Sequence, residues 1–202
     1  MGQFGGMSEL KQVEVDLLTD AYRISGTVQT RFGRVTDILN QPSSTHLLVE
    51  HATISEHADP SATMAAPSAS VDVRSILLLT APALSGEASS EMRIPKRPVK
   101  AHLALPPIRL TGTIHVAMGS RPLDGLLNLV DRFLAMTDVT VASGLYPQLA
   151  RTATAVAVAR ARAQVLLVAD DERPDELLAD VLDEGTAEAW LRADESRTRR
   201  PD

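Results

Sequence analysis

Cysteine is absent from this chain of 202 residues, and aromatic residues make up only 3% of it. Without cysteine, the chain contains no disulfide, no thiolate metal site and no cysteine nucleophile. Because aromatic side chains are scarce, we predict a core of Val, Leu, Ile and Ala. Basic residues are outnumbered by acidic ones, 20 to 26, which gives a net charge of −6. This balance argues against a general nucleic-acid binder, which carries a basic surface.

Signals for export and for membranes are also missing. The N-terminus has neither the basic segment nor the apolar segment that a signal peptide requires. The most apolar stretch, from Ala153 to Ala169, is interrupted by Arg160 and Arg162 and is too short to span a bilayer. We therefore expect a cytoplasmic protein with no membrane span.

The motifs of common enzyme families do not occur. The sequence has no Gly-x-Ser-x-Gly nucleophile elbow, no phosphate-binding loop and no dinucleotide-binding glycine motif. The expectation is a protein that is not an enzyme and that needs no cofactor.

What the sequence does contain is an internal duplication. Residues 13–33 align with 99–119 and, after one extra residue, residues 34–53 align with 121–140. Eleven identical pairs occur in the same order along this alignment, which indicates two copies of one unit. The identical pairs include Gly26 with Gly112, Arg34 with Arg121 and Asp37 with Asp124. Later in each unit, Ile76–Leu79 is matched with Val165–Val168.

Hydrophobic alternation predicts the order β-β-α-β-β in both units. For the first unit the predicted elements are strands Val13–Leu18 and Tyr22–Thr30, a helix at Val35–Asn40, and strands His46–Ile54 and Val71–Thr80. For the second unit they are strands Val99–Leu105 and Ile108–Val116, a helix that begins near Pro122, and strands Phe133–Ala142 and Ala155–Ala169. The stretch 58–70 is rich in Ala, Ser and Pro and is predicted to be a surface loop.

Two glycines fall on the apolar face of the second strand of each unit, Gly26 and Gly112. A glycine in the middle of a strand is typical of a bend or of a close approach by another backbone segment. We expect one or the other at both positions.

The predicted fold class is mainly β with short helices. Two tandem β-β-α-β-β units form one pseudo-symmetric β domain, and a helical tail follows at the C-terminus. The predicted boundaries are a flexible N-terminus at 1–12, a first β unit at 13–80, a linker at 81–98, a second β unit at 99–170 and an acidic helical tail at 171–202.

The predicted tail helix has one apolar face, and the single tryptophan of the chain follows it. The residues concerned are Leu177, Leu178, Val181, Leu182 and Trp190. This face either packs back on the β domain of its own chain or binds the groove of a partner protein.

An Arg-x-x-Asp pair recurs in both units, as Arg34 with Asp37 and as Arg121 with Asp124. An aspartate in the first turn of a helix is stabilised by the helix dipole, which favours a structural role for the pair. The alternative is that Arg34 and Arg121 meet across a pseudo-two-fold axis and bind an anion.

Three histidines, His46, His51 and His57, lie close together in the sequence. Their spacing does not match a helical His-x-x-x-His pair or a zinc-binding helix. We interpret them as surface histidines and predict no metal site.

Three segments, Arg109–Ile114, Gly119–Asp124 and Phe133–Val139, resemble a poorly characterised bacterial family of small β proteins. The motif of that family is a Gly-x-Arg-x-x-Asp-x-Leu-Asn-like helix followed by a Phe-Leu-x-Leu-Thr-like strand. Here the helix runs from Arg121 to Asn128, the strand begins at Phe133, and the first unit keeps Arg34–Asn40. The resemblance covers both units, but it does not cover the tail, and it implies no particular activity.

A looser resemblance is to the Sm-like small barrel. In that fold a strand glycine, an aspartate and an asparagine lie near the nucleotide pocket, the strands are bent, and the subunits form rings. The scarcity of aromatic residues and the acidic charge argue against an RNA-binding version.

We expect an assembly or adaptor module that acts through self-association, or through its C-terminal helix on a protein partner. One alternative is an Sm-like nucleic-acid-binding module, which would place a basic rim at Arg23, Arg109, Arg93 and Lys96. Another is a sensor or enzyme for a small anion, with a pocket between the units.

Overall fold

Alternating apolar and polar side chains determine most of the secondary structure. In the strand Tyr22–Thr30, for example, Ile24 and Val28 are buried whereas Arg23 and Gln29 are exposed. The computed structural model describes residues 9–84, 96–118, 123 and 131–168. Residues Met1–Leu167 form one compact unit, and a second unit begins at Val168, the last residue described.

The described residues form ten strands and one short helix. In chain order they are β1 (Lys11–Leu18), β2 (Tyr22–Thr30), α1 (Val35–Leu39), β3 (His46–Glu56), β4 (Thr63–Asp72), β5 (Leu78–Thr80), β6 (Lys96–Leu105), β7 (Ile108–Ala117), β8 (Phe133–Ala142), β9 (Arg151–Ala159) and β10 (Val165–Val168). Three short 3₁₀ turns, at Val73–Ser75, Pro147–Leu149 and Arg160–Arg162, connect some of them. The predicted mainly β class is confirmed, and no described helix is long and apolar enough to cross a membrane.

All ten strands belong to one sheet. Their order is β10-β6-β7-β8-β9-β5-β1-β2-β3-β4, and neighbours are antiparallel from β6 to β4. The three residues of β5 pair with β1 on one side and with β9 on the other. This short strand therefore joins the strands of the first half of the chain to those of the second half.

The core is aliphatic, as the composition predicts. The largest fully buried side chains are Leu17, Leu18, Leu39, Ile76, Leu77, Leu78, Leu79, Leu84, Leu105, Ile108, Leu110 and Ile114. One aromatic residue, Phe133, joins the core cluster of the first half although it begins β8. The two halves therefore share buried apolar surface.

Gly26 and Gly112 lie opposite β-bulges, where one strand has an extra residue. The register between β2 and β3 shifts across Gly26, and that between β7 and β8 shifts across Gly112. In each bulge a non-glycine residue has a positive φ, 51° at His51 and 52° at Asp138. Bulges of this kind increase the local twist and bend the strand.

The expected close approach at both glycines is confirmed. A Cβ on Gly26 would lie 2.5 Å from the backbone oxygen of Glu50, and one on Gly112 would lie 2.9 Å from Cγ2 of Val139. Only hydrogen at these two Cα positions allows the neighbouring strand to come this near.

Several predicted boundaries are wrong. The stretch 58–70 contains most of strand β4, because a strand at the edge of a sheet tolerates small polar residues and a proline. The predicted strands Val71–Thr80 and Ala155–Ala169 are each interrupted by a 3₁₀ turn. The apolar run continues through the first of these turns because Val73, Ile76 and Leu77 are buried, so hydropathy gives no sign of the break. Residues 96–98, assigned to the linker, belong to β6.

Backbone hydrogen bonds recur in the two halves at the spacing of the sequence alignment. Leu77 donates to the carbonyl of Leu18, and Gln164 donates to that of Ala104. Val73 donates to Thr45, just as Arg160 donates to Arg132. By this comparison, Leu78–Thr80 in the first half are equivalent to Val165–Leu167 in the second half. The sequence alone matched Ile76–Leu79 with Val165–Val168, which is an alignment shifted by two residues.

Replacing either strand glycine by alanine should destabilise the protein, because the added methyl group overlaps the neighbouring strand. We expect a loss of about 1–3 kcal/mol in the free energy of unfolding, larger for Gly26→Ala because its nearest neighbour is a backbone oxygen. Gly33→Ala is the control, since a Cβ there would meet nothing within 4 Å. Urea unfolding of the three variants tests this, and equal stability of Gly26→Ala and Gly33→Ala would contradict it.

Candidate functional site

The first Arg-x-x-Asp pair lies at the start of α1. Arg34 occupies the N-cap position without a side-chain capping bond, and Asp37 lies in the first turn. Arg121 and Asp124 lie outside the described residues, so an anion site shared by Arg34 and Arg121 stays a prediction. The tail residues Leu177, Leu178, Val181, Leu182 and Trp190 also lie outside the described residues.

Burial dominates the electrostatics of Asp37. Burial raises the pKa of its carboxyl, the charge of Arg34 lowers it, and the charge of Asp131 raises it again. The net direction is upwards, so the fold favours the protonated form of this side chain. Arg34 reduces the cost of this partly buried carboxylate without removing it.

Asn40, which follows α1, joins the two halves of the chain. Its side-chain Nδ2 donates to the carbonyl of Phe133 at 3.0 Å, and its Oδ1 accepts from the N–H of the same residue at 2.8 Å. The guanidinium of Arg132 lies within hydrogen-bond distance of the carbonyls of Leu39, Gln41 and Ser44. A cation at the end of a helix satisfies carbonyls that have no partner within the helix.

A cavity of about 600 Å³ lies between the two halves. Strands β1 and β2 contribute one wall, and the first five residues of β9 contribute another. The polar residues among those that line it are Glu14, Asp16, Ser25, Thr27, His51, Thr80, Arg151, Thr152 and Thr154. The sequence gives no indication of this site, because an arginine at the start of an Ala- and Val-rich strand is unremarkable by pattern.

Asp16, in the wall of this cavity, is shared by two arginines, of which Arg151 also lines it. Arg23 binds it through Nε and Nη2, with the shortest distance 2.7 Å, and Arg151 binds it through Nη1 at 3.1 Å. Hydrogen bonding to Asp16 raises the pKa of Arg23, whereas burial lowers that of Arg151. Nε and Nη2 of Arg151 are buried and have no hydrogen-bond partner among the described residues.

A second cavity, of about 430 Å³, lies beside His57. Contrary to the prediction of a surface histidine, His57 is only 2% exposed. Its Nε2 lies 3.0 Å from the carbonyl of Thr19 and so carries the proton, and its Nδ1 has no partner among the described residues. Gln148 donates to the carbonyl of His57 at 2.7 Å. His57 is buried because the β1–β2 turn, the β3–β4 turn and the loop before β9 pack together around it. The hydropathy of the sequence cannot predict such packing between loops that are far apart in the chain.

The other histidines do not assemble a metal site. His51 occupies the bulge opposite Gly26 and is exposed, and His46 is also exposed. Within the ranges that the structure covers, no three His, Cys, Asp or Glu side chains come close enough together to hold a metal ion.

The basic rim that the nucleic-acid-binding alternative expects at Arg23, Arg93, Lys96 and Arg109 stays a prediction. Arg23 is neutralised by Asp16, and Arg93 lies outside the described residues. Lys96 and Arg109 are exposed. Two further arginines, Arg74 and Arg162, form ion pairs with aspartates.

Removing the side-chain amide of Asn40 should destabilise the protein, because it leaves the backbone N–H and carbonyl of Phe133 without their partners. We expect Asn40→Ala to lose about 1–3 kcal/mol in urea unfolding. The control is Gln41→Ala, which keeps the backbone carbonyl that Arg132 binds and should change stability by less than about 0.5 kcal/mol. The same loss in both variants would show that Asn40 has no special role.

Replacing Asp37 by Asn should stabilise the protein at pH 7. Burial raises the pKa of Asp37 in the folded protein, so folding favours the protonated carboxyl. The stability that this carboxyl contributes is therefore complete below its pKa in the unfolded chain and is lost as the pH rises through its pKa in the folded protein. The gain from Asp37→Asn should therefore shrink as the pH falls towards 4. Asp59→Asn is the contrasting variant, because hydrogen bonds from Ser61 lower the pKa of Asp59. Thermal unfolding across this pH range decides, and a loss of stability in Asp37→Asn at pH 7 would refute the argument.

Comparison with known proteins gives no family for this chain. No family model, curated protein or solved structure matches it. Its function therefore has to be argued from the geometry of its strands and cavities.

Proposed function

We propose that this chain is a non-enzymatic assembly module that associates head to tail with further copies of itself. The observation that carries the proposal is the junction of β5 with β9 inside the chain. The two strands at the ends of the sheet order, β10 and β4, occupy the same positions in their own halves as β5 and β9 do. Among the described residues, each chain therefore has one free edge equivalent to the β5 side of the junction, on β10, and one equivalent to the β9 side, on β4.

The internal duplication supports this equivalence. With the helix predicted near Pro122 in the place of α1, both halves have the order β-β-α-β-β of the predicted units. One short further strand then follows in each half, β5 in the first and β10 in the second. In the first half that strand, β5, lies beside β1, and in the second half β10 lies beside β6. The pairing of Val13 with Val28 has its counterpart in Val99 with Ile114. We interpret the halves as tandem copies in a pseudo-symmetric arrangement.

The burial of the equivalent residues differs as the proposal requires. Leu78 and Thr80 of β5 are 0% and 9% exposed, because β1 and β9 flank them. Their counterparts on β10, Val165 and Leu167, are 49% and 40% exposed. Covering apolar side chains of this kind is the main driving force of association.

The internal junction predicts the register between copies. Leu78, Leu79 and Thr80 pair with Val158, Ala157 and Val156. By the same spacing, the edge strand β10 of one copy would pair with Ala69, Ser70 and Val71 in β4 of the next. Pro67, which cannot donate to a ladder, lies outside these three positions.

Contacts of this type join two different surfaces, so they close into a ring or continue into a filament. An exposed strand edge is a template for such pairing unless it is covered. The resemblance to the Sm-like barrel, whose bent strands form rings, favours closure. Arg23, Arg74, Arg151 and Arg162 all form ion pairs with aspartates, which gives no support to a nucleic-acid-binding role.

Light scattering on the full chain tests the proposal. We expect a mass that is a multiple of 21.7 kDa and a monomer for the double variant Val165→Lys and Leu167→Lys. The control is Leu145→Lys, which changes a leucine that is even more exposed, at 74%, and that lies on neither edge strand; this variant should remain an oligomer. Thermal unfolding of each variant verifies that it folds.

Two results would overturn the proposal. A monomeric full chain would show that the edges do not pair. An oligomer that survives the two lysines but is lost in a chain ending at Asp170 would assign assembly to the C-terminal segment instead.

A further inference from the structure

We infer that a second, electrostatic contact accompanies the strand pairing between copies. The β3–β4 turn of one copy docks on the outer face of β6 and β7 of the next copy, the face that carries Lys100 and Arg109, and Asp59 of the turn pairs with Arg109. This inference rests on the proposed function, because it needs the copies to associate head to tail. It adds a surface away from the strand edges and makes assembly depend on charge.

The loop before β9 makes the corresponding contact inside one chain. In that loop, Gln148 donates a hydrogen bond to the carbonyl of His57 at 2.7 Å. Leu149 lines the same cavity as Arg23, which lies on the outer face of β2. The pairing of β5 with β9 and the docking of this loop on the first half therefore occur together.

The β3–β4 turn is the equivalent of this loop and has the same backbone hydrogen bond. Ala62 donates to the carbonyl of Asp59 at 3.0 Å, and Leu149 donates to that of Tyr146 at 3.0 Å. Donor and acceptor both lie 87 positions further on in the second half, and a proline follows the acceptor in each case. If β10 of one copy pairs with β4 of the next, this turn is carried to the second half of a neighbour as the loop is carried to the first half within a chain.

The face that receives the turn has a different charge from its equivalent in the first half. The registers of β1 with β2 and of β6 with β7 place Lys100 where Glu14 stands, and His102 where Asp16 stands. Lys100 is exposed. The outer face of β6 therefore presents a cation where that of β1 presents two carboxylates.

Arg109 is a second cation on this face, and no carboxylate neutralises it within the described part of the chain. Its equivalent in the first half, Arg23, binds Asp16 at 2.7 Å. Arg109 is exposed and forms no ion pair among the described residues. Its Nη2 lies 3.9 Å from the position that a Cβ on Gly144 would take. The guanidinium is therefore close to Gly144 and open to a partner.

The turn brings a carboxylate to this guanidinium. Gly144 is the equivalent of His57, and Ser61 is the equivalent of Gln148, by the same offset of 87. The bond from Gln148 to His57 therefore places Ser61 of one copy at Gly144 of the next. Asp59 arrives with Ser61, because its Oδ1 accepts hydrogen bonds from the N–H and the Oγ of that serine at 3.0 and 2.6 Å. The carboxylate is thus held in position before the copies meet, which lowers the entropic cost of the contact.

The charges around this pair complement each other. Glu56, at the end of β3, adds a second negative charge beside the turn, and Lys100 adds a second positive charge to the face. Asp138, in the bulge of β8, is exposed but forms no ion pair with either cation among the described residues. Opposite charges across an interface speed association and disfavour wrong partners. Residues 143–150, which make the internal contact, carry no charge, so the charged contact is specific to the junction between copies.

Charge reversal with complementation tests this inference. Light scattering of the full chain over a concentration series, in about 50 mM salt to limit screening, measures the dissociation constant of the oligomer. We expect Arg109→Glu and Asp59→Arg each to raise it about tenfold or more, because like charges then meet. An equimolar mixture of the two variants should assemble again, since every contact between unlike copies then joins opposite charges, and so should the double variant.

Arg31→Glu and Glu9→Arg are the matched controls. They make the same charge changes at exposed residues outside the contact and should assemble as the unaltered chain does, and thermal unfolding verifies that each variant folds. A monomeric unaltered chain would refute the proposed assembly itself. An oligomer that tolerates Arg109→Glu and Asp59→Arg, or variants that do not recover on mixing, would overturn this contact alone. Nucleic acid that is retained by the unaltered chain and lost in Arg109→Glu, with no change in assembly, would assign the basic face to nucleic acid and would also overturn it.

Discussion

The pairing of β5 with both β1 and β9 is the constraint on which the rest of this structure depends. In the described part of the chain, the three residues Leu78–Thr80 supply the ladder contacts between the strands of the first half and those of the second. Their side chains are buried, so the junction is apolar as well as hydrogen-bonded. Asn40 and Arg132 then hold the end of α1 against the start of β8, which fixes the position of the second half.

This junction has two consequences for function. The junction pairs β5 with β9, and it leaves their equivalents in the other half, β10 and β4, at the two ends of the sheet order. It also carries the first residues of β9 towards β1, so that Arg151 reaches Asp16 and a cavity forms between them. The strand edges proposed for assembly and this cavity therefore arise from the same pairing but lie on different surfaces.

Close contacts between strands at two glycines accompany a core that is almost entirely aliphatic. The bulges at His51 and Asp138 and the glycines opposite them bring neighbouring strands closer than any side chain would permit. Small aliphatic side chains can then fill the interior at the density that proteins require. The ion pairs of Asp16, Asp20 and Asp72 with arginines neutralise part of the charge of the polar faces.

The sequence by itself determined the strands whose faces alternate, β2 and β8 to the residue, and it marked Gly26 and Gly112 as sites of a bend or a close approach. These features depend on local periodicity and on the absence of a side chain, and both can be read directly from neighbouring residues in the sequence. Only the tertiary structure decided that 63–72 is a strand, that His57 is buried, and that Arg151 meets Asp16. An edge strand needs no apolar face, and a contact between residues 135 positions apart leaves no periodic trace, because the fold alone brings them together.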